Sequence, residues 1–189
     1  MLIKTLITFI VFFNFFLSVQ SSEKQSIIDR LSEIKNFSFH FEQITKKKVE
    51  TGKCLLEFDK KLKCKYNDEF EKEIIINDKS LVILQKRYDK IYRYPISKSP
   101  FLNILSKDKL VNLIQNSDLI LNENIELVYL DQNQKKITVF FEKKNYELKG
   151  WLMEDGFQNE IYFALKIENI NLEVDKNYFK VPSVASEQN

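Results

Sequence analysis

The order of apolar and polar positions predicts one helix followed by a long series of short strands. From Glu23 to Phe37 the apolar residues recur three and four positions apart with charged residues between them, which is typical of an amphipathic helix. The next segment, FSFHFEQI, alternates phenylalanine with polar residues and has the period of a half-buried strand. We therefore expect the helix to lead directly into a sheet.

Further β-rich runs follow, separated by turn residues such as Asn77-Asp78 and Asp155-Gly156. They are GKCLLEF, LKCKY, EIIIN, SLVIL, KIYRY, IELVYL, KITVFF, YELKGWLM, EIYFALKI and FKV. With the first strand they make about eleven candidates, and their short links predict antiparallel neighbours in a meander.

One segment interrupts the strands. In PFLNILSKDKLVNLIQN, Pro100 suits a first helical position and the apolar residues have helical spacing. The pattern predicts either one bent helix or two short ones, Ser99 to Leu105 and Lys107 to Gln115. An apolar helix face has to be buried, and the apolar face of the sheet is the only large partner. The predicted fold is one strongly curved antiparallel sheet with helices packed on its apolar face.

The first 21 residues have the composition of a secretory signal peptide. Lys4 precedes an apolar run from Leu6 to Leu17, which is shorter than the roughly 20 residues of a membrane-spanning helix. Small residues at Val19 and Ser21 suit a cleavage site, so the mature chain is expected to be a single domain, residues 22–189. No cysteine lies at or directly after the cleavage region, and a lipid anchor is therefore not expected. An uncleaved membrane anchor is the alternative.

The net charge and the candidate catalytic residues exclude several classes of function and point to none. Without Lys4 the mature chain has 28 basic and 27 acidic residues, a balance that points to neither nucleic acid nor an acidic membrane as a partner. His40 is the only histidine, so a histidine-rich zinc site cannot be assembled, and its place on the polar side of the first strand favours a solvated side chain over a catalytic one. The two cysteines are too far apart for a CxxC pair. We expect no enzyme activity and no cofactor or metal.

The mature chain contains eleven phenylalanines and eight tyrosines, most of them within the alternating strands. A curved sheet of this size is either filled by its own side chains or left open for a ligand. Periodicity does not distinguish a filled interior from an open one, and both alternatives stand.

Several short motifs occur in a fixed order along the chain. They are F-x-Q from Phe41, the hairpin from Gly52 to Tyr66, N-D-K-S-L from Asn77, P-I-S-K-S-P-F from Pro95, L-x-G-W from Leu148 with Asp155 after it, and F-K-V-P from Phe179. In order and spacing they resemble the motifs of the periplasmic outer-membrane lipoprotein carrier proteins, the LolA family. The resemblance covers nearly the whole mature chain.

The resemblance implies a half-barrel of about eleven antiparallel strands with helices as a lid over an apolar cavity. The implied cavity residues are Phe39, Phe41, Leu56, Phe58, Leu62, Tyr66, Ile83, Tyr92, Tyr94, Val139 and Phe141. The implied lid residues are Ile27, Leu31, Ile34, Phe101, Leu102, Leu105, Leu110 and Leu113.

The resemblance also implies a function. A monomeric periplasmic chaperone would hold the acyl chains of lipoproteins and carry them from an inner-membrane ABC transporter to an outer-membrane receptor, where one is present. A general lipid-binding or envelope-sensing domain on the same scaffold is one alternative. A structural domain with a filled interior is another.

Two positions depart from the family pattern. Phe58 stands where the family has an arginine that latches the lid by hydrogen bonds, and Asp59 stands at the following proline. We therefore expect an apolar contact from Phe58 to the lid in place of a polar latch.

Cys54 and Cys64 occupy positions that are usually large and apolar in the family, and by alternation both face the cavity. If the hairpin turn centres near Asp59, the two lie opposite each other and form a cross-strand disulfide. If the register slips, they are two buried thiols.

Overall fold

The computed structural model describes residues 22–46, 48–78, 80–96, 102–130, 134–154 and 159–182. The predicted signal peptide, residues 1–21, lies outside the described residues and stays a prediction. Within the described ranges, no helix combines the length and the apolar composition needed to cross a membrane.

One antiparallel sheet of eleven strands forms the body of the protein. The strands are β1 (Asn36–Thr45), β2 (Lys48–Glu57), β3 (Lys61–Tyr66), β4 (Lys72–Asn77), β5 (Ser80–Gln85), β6 (Lys90–Pro95), β7 (Asp118–Leu121), β8 (Ile125–Leu130), β9 (Lys136–Phe141), β10 (Leu148–Glu154) and β11 (Glu160–Ile170). Helix α1 covers residues 22–32, α2 Leu102–Leu105 and α3 Lys107–Asn116, and a single 3₁₀ turn spans Lys86–Tyr88.

The strand order is β6-β5-β4-β3-β2-β1-β11-β10-β9-β8-β7, so two meanders are joined where β1 pairs with β11. The sheet is curved and unclosed, which confirms the predicted half-barrel. Its free edges are β6 and β7, and the segment that contains α2 and α3 connects them. The mid-chain helical segment is two short helices, the second of the two predicted forms.

Two details of the strand prediction are wrong. The run FKV is not a strand: Phe179 is buried in a turn, and Val181 packs on Ile75, Val82 and Leu84 on the outer face of the sheet. Its apolar residues are therefore packed against the protein, but its backbone does not pair with a strand of the sheet. The sequence prediction also missed β7, because DLIL directly continues the apolar pattern of α3.

The main core lies between the helices and the inner face of the sheet. Ile27 and Leu31 of α1 join Leu110 and Leu113 of α3 in one buried cluster with the inward residues of the strands. The Lys24 ammonium donates to the Ser117 carbonyl at 2.6 Å, just after the end of α3. A cation there also suits the negative end of the helix dipole, so α1 and α3 are held together as one layer.

The β2–β3 hairpin carries the predicted disulfide. Cys54 stands opposite Cys64 in the register, and the two are joined. On the next row Gly52 stands opposite Tyr66, and a Cβ at residue 52 would come within 2.7 Å of the Phe41 ring. Glycine is therefore required there, because the Lys65 backbone carbonyl lies even closer and Phe41 packs directly on the hairpin backbone.

We expect the double substitution Cys54→Ala/Cys64→Ala to lower the free energy of unfolding by about 2–3 kcal/mol, because the bridge restricts the unfolded chain. Urea denaturation followed by circular dichroism measures this loss. Wild-type protein unfolded with a reductant should lose a similar amount. A loss below about 0.5 kcal/mol would show that the bridge contributes little beyond what the strand pairing already provides.

Candidate functional site: an apolar cavity beneath the helices

An apolar cavity lies between the inner face of the sheet and helix α2. Its wall is made by Phe37, Phe39, Leu56, Leu62, Cys64, Tyr66, Ile74, Ile76, Leu81, Leu105, Leu148, Trp151, Phe163 and Leu165. No lining residue carries a charge, and the tyrosine hydroxyl and the indole N–H are the side-chain hydrogen-bonding groups among them. The wall therefore suits a hydrocarbon ligand.

Strand register explains how the first wall forms. Phe37, Leu56, Leu62, Ile76 and Leu81 stand opposite one another across β1 to β5. Opposed residues of antiparallel strands share a face of the sheet, so this row is one continuous apolar strip.

The second wall consists of stacked aromatic rings from β10, β11 and β1. Trp151 stacks on Phe163 with ring centroids 4.4 Å apart, and Phe163 stacks on Phe41 at 5.0 Å. Phe41 also meets Tyr66 edge to face at 4.8 Å, which connects this wall to the β2–β3 hairpin. Such ring pairs stabilise beyond the area they bury, so the stack adds to the stability of this side of the cavity.

The cavity is small in this conformation. Its volume, measured as the space open to the centre of a water-sized sphere, is about 30 Å³. By the same measure one water needs about 10–15 Å³, so the space accommodates about two waters. An acyl chain can enter only if the helices move away from the sheet or the lining rings rearrange.

The structure brings only some of the predicted cavity residues together. Phe39, Leu56, Leu62 and Tyr66 line the cavity. Phe41 packs beside it, and Phe58 lies at its margin with its ring centroid 6.1 Å from that of Phe37.

The remaining predicted cavity residues lie elsewhere on the inner face. Ile83, Tyr92 and Tyr94 are on β5 and β6, beyond the cavity wall, and both tyrosines are exposed. Val139 and Phe141 are fully buried in the packed core of the other half of the sheet. Strand alternation identifies the face of the sheet on which a residue lies and not its position along that face.

Sequence reasoning missed part of the wall. The lining residues it did not name are Phe37, Ile74, Ile76, Leu81, Leu148, Trp151, Phe163 and Leu165. The runs EIIIN and EIYFALKI are apolar on both faces, so alternation alone does not assign their inward residues. The available signal was Trp151 in the L-x-G-W motif.

The predicted lid residues bury their side chains in the main core. Ile27, Leu31, Ile34, Leu110 and Leu113 are buried there, and Leu105 lines the cavity itself. Phe101 and the side chain of Leu102 lie outside the described residues.

The tip of the β2–β3 hairpin holds the helices in place. The Lys60 backbone N–H donates to the Leu105 carbonyl at 3.0 Å, and the Lys107 backbone N–H donates to Asp59 Oδ1 at 2.6 Å. The Phe58 N–H donates to the Lys35 carbonyl at 3.0 Å. We call these contacts, with those of the Lys107 ammonium, the hairpin latch.

The Lys107 ammonium extends the hairpin latch to the end of α1. It donates to the Ile34 carbonyl at 2.7 Å and lies 5.2 Å from the centre of the Phe58 ring, within the range of a cation–π contact. Hydrogen bonds therefore hold the lid beside Phe58, while the expected apolar contact from Phe58 itself stays a prediction; its ring packs against the main core. The latch is polar, and the neighbours of Phe58 supply its hydrogen bonds.

A polar cluster closes the cavity at Tyr66. The Tyr66 hydroxyl donates to Gln43 Oε1 at 3.3 Å, and the Lys72 ammonium lies 3.7 Å from the centre of the tyrosine ring. Burial raises the pKa of Tyr66, and the negative charges of Glu50 and Asp68 raise it further, so the hydroxyl stays neutral.

Glu50 supports this cluster by binding two lysines. Its Oε1 accepts from the Lys72 ammonium at 2.6 Å and lies 2.9 Å from that of Lys48. Burial alone would raise the pKa of Glu50, but the two lysines outweigh it and hold the pKa below its usual value of 4.5.

The polar groups of the described residues form no arrangement for catalysis or metal binding that we recognise. His40 is exposed and its Nε2 lies 2.8 Å from Glu168 Oε1. Among the residues whose positions are described, no group of three His, Cys, Asp or Glu side chains could hold a metal ion. What the cavity offers chemically is apolar burial.

We expect Asp59→Ala to loosen the hairpin latch, because it removes the acceptor for the first backbone N–H of α3. Removing a side-chain cap costs about 1 kcal/mol, so amide hydrogen exchange across residues 102–116 should become faster by roughly fivefold. Asp118→Ala, at an exposed position of β7, is the matched control. Equal exchange in the two variants would contradict a latch at Asp59.

We expect Glu50→Gln to reduce the free energy of unfolding by about 1 kcal/mol near neutral pH. Because the folded-state pKa of Glu50 lies below its usual value of 4.5, the charged carboxylate stabilises the fold above that pH and loses this effect as it protonates at lower pH. Denaturation curves of wild type and variant should therefore converge as the pH falls below 4.5 and the Glu50 carboxylate of the folded protein becomes protonated. The exposed Glu42→Gln is the control, and a gap that persists in acid would contradict the ionic role.

Comparison with known proteins places this geometry in a family. The model of the outer membrane lipoprotein carrier protein LolA matches residues 32–182. A search of curated proteins finds no significant match.

Several solved structures are similar to this chain at low sequence identity. MucB superposes with a TM-score of 0.52 at 12% identity, over 86% of this chain and 64% of its own. A LolA superfamily protein from Nitrosomonas europaea gives 0.43 at 11% identity, over 83% and 97%. The lipoprotein LppX from Mycobacterium tuberculosis gives 0.47 at 12% identity, over 88% and 98%.

The family model spans well over half of the chain, from the end of α1 to the segment that packs on the outer face. The matched range contains all eleven strands of the sheet and both mid-chain helices, α2 and α3. This protein belongs to the LolA family of outer membrane lipoprotein carrier proteins.

Proposed function

We propose that this protein binds the acyl chains of lipoproteins in its apolar cavity and carries them through the periplasm, from an inner-membrane ABC transporter to the outer membrane. The observation that carries the proposal is a cavity wall without charged side chains, beneath helices that a few hydrogen bonds hold to the sheet. Membership of a carrier family supports the same assignment.

The energetics of acyl chains suit such a cavity. Each CH₂ group moved from water to an apolar site gains about 0.8 kcal/mol, so even a short length of chain supplies useful affinity. Because no lining residue is charged, no buried charge has to be neutralised when the ligand enters. The wall can therefore accept chains that differ in length or branching.

Binding requires the closed cavity to open. Leu105 covers the cavity on the side of α2, and the hairpin latch holds the Leu105 carbonyl to Lys60 and the Lys107 backbone N–H to Asp59. Opening exchanges these hydrogen bonds for bonds to water at modest net cost, since intramolecular hydrogen bonds contribute about 1 kcal/mol each. Exposure of the apolar wall to water costs more free energy than the lost hydrogen bonds. The acyl chains offset this cost because they cover the wall when they bind.

The polar cluster at Tyr66 limits how far a chain can extend. Glu50 and Lys72 are hydrogen-bonded to each other behind the tyrosine, and entry of hydrocarbon among them would break a paired charge. We infer that acyl chains lie along the row from Phe37 to Leu81 and that this cluster bounds the binding space on the side of Tyr66.

Displacement of a fluorescent fatty acid by a triacylated lipopeptide tests the proposal on protein purified from a periplasm. We expect saturable binding at one site. Leu81→Trp places a larger ring in the cavity wall and should weaken binding by at least about tenfold, the cost of one badly fitting apolar contact. The matched control is Ile120→Trp, an exposed position of β7.

Native mass spectrometry of the same preparation supplies the second measurement, since a carrier taken from cells should retain some lipoprotein. A ligand-free mass together with no probe binding would identify a domain with a filled interior. Lipopeptide binding without any transfer to outer-membrane vesicles would favour a lipid-sensing domain over a carrier.

A further inference from the structure

The free edge strand β6 and the turn before it are unusually basic. Residues 86–94 read KRYDKIYRY and contain four basic residues and one acidic residue. The whole chain has a net charge of only +2, so this short segment, which we call the basic edge, carries a larger net positive charge than the protein as a whole. Every residue from 86 to 95 except Ile91 is exposed.

The positive charges of the basic edge are only partly paired. Lys86 binds Glu73 at 2.7 Å, and Arg87 donates to the Glu69 carbonyl at 3.2 Å. Lys90 and Arg93 form no ion pair with any residue that the structure describes. By contrast Lys48, Lys61 and Lys72 on the neighbouring strands each bind a glutamate.

Tyrosines alternate with these basic residues. Tyr92 and Tyr94 are 39% and 49% exposed, and Tyr88 is 53% exposed on the preceding turn. Tyrosine combines an apolar ring with a polar hydroxyl and is enriched where hydrocarbon meets headgroups at a membrane surface.

The basic edge adjoins the cavity wall. Tyr94 stands opposite Leu81 in the register, and Leu81 lines the cavity. A ligand that leaves the cavity across β5 therefore meets Tyr94 before it meets solvent.

We propose that the basic edge docks the protein on the anionic headgroups of a phospholipid bilayer. Exposed basic residues close to a membrane are attracted by its negative surface potential, and the alternating tyrosines insert at the interface. The nearly balanced net charge of the whole chain argues against an acidic membrane as a partner. The basic edge, however, concentrates positive charge on one part of the surface. This surface goes beyond acyl-chain carriage, since it would hold the protein at a membrane whether or not the cavity is occupied.

A strand from a second copy is the competing occupant of an open sheet edge. Basic side chains along an edge oppose strand addition, because two copies would bring like charges together. The charge that attracts lipid therefore disfavours a dimer through the same edge.

Cosedimentation of the periplasm-purified protein with vesicles tests the proposal. We expect binding to vesicles of phosphatidylglycerol and phosphatidylcholine, little binding to phosphatidylcholine alone, and weakening by salt. Lys90→Glu/Arg93→Glu should weaken binding by more than about tenfold, since each basic residue near an anionic surface contributes about fivefold.

Lys143→Glu/Lys144→Glu is the matched control, because it makes the same change in net charge at an exposed turn in the other half of the sheet. It should leave vesicle binding within about twofold of wild type. Tyr92→Ser/Tyr94→Ser should also lose affinity, and it does so without any change of charge. Circular dichroism checks that each variant is folded.

Three outcomes would overturn the proposal. The first is that the protein does not bind anionic vesicles, and the second is that both charge-reversal variants lose the same vesicle affinity. The third is that the protein forms a dimer that Lys90→Glu/Arg93→Glu dissociates, while vesicles bind no protein. Because the vesicles contain no lipoprotein and the lipopeptide assay contains no membrane, failure here is distinguishable from failure of the carrier proposal.

Discussion

The apolar inner face of an open, curved sheet has to be covered, and most of the structure follows from that constraint. The sheet does not close on itself, so α1, α2 and α3 supply the missing side of the core. Where the helices pack tightly, as over Val139 and Phe141, the interior is solid. Beneath the short α2 the fit is less complete, and a cavity remains. Core and candidate binding site are therefore two parts of one surface.

The β2–β3 hairpin connects the rigid and the movable parts of the molecule. Its strands are bridged by Cys54 and Cys64, and its tip binds α2, α3 and the end of α1. This covalent bridge lies close to the tip and limits how far the two strands can slide past each other. The tip therefore presents its hydrogen-bonding groups in a fixed arrangement. Movement is then left to the helices, which are short and have weak intrinsic stability.

Alternation and turn residues were sufficient to predict the curved sheet, a mid-chain helical segment and two cysteines on one face of a hairpin, since each depends on local spacing. The position of a residue along the face was not predictable, and so Tyr92 and Val139 were grouped with Leu56 although they lie far apart on the sheet. The hairpin latch depends on Asp59, Lys60 and Lys107, whose contacts are set by how α3 docks. Tertiary docking leaves no periodic signal in a sequence.

The stacked pair in the cavity wall gives the protein a built-in optical reporter. Trp151 is the only tryptophan of the chain, and its ring lies parallel to that of Phe163 against the cavity. Any guest that separates the two rings changes the polarity around the indole and shifts its emission. Occupancy of the wild-type protein can therefore be followed by intrinsic fluorescence, without an added dye and in the presence of competing lipids.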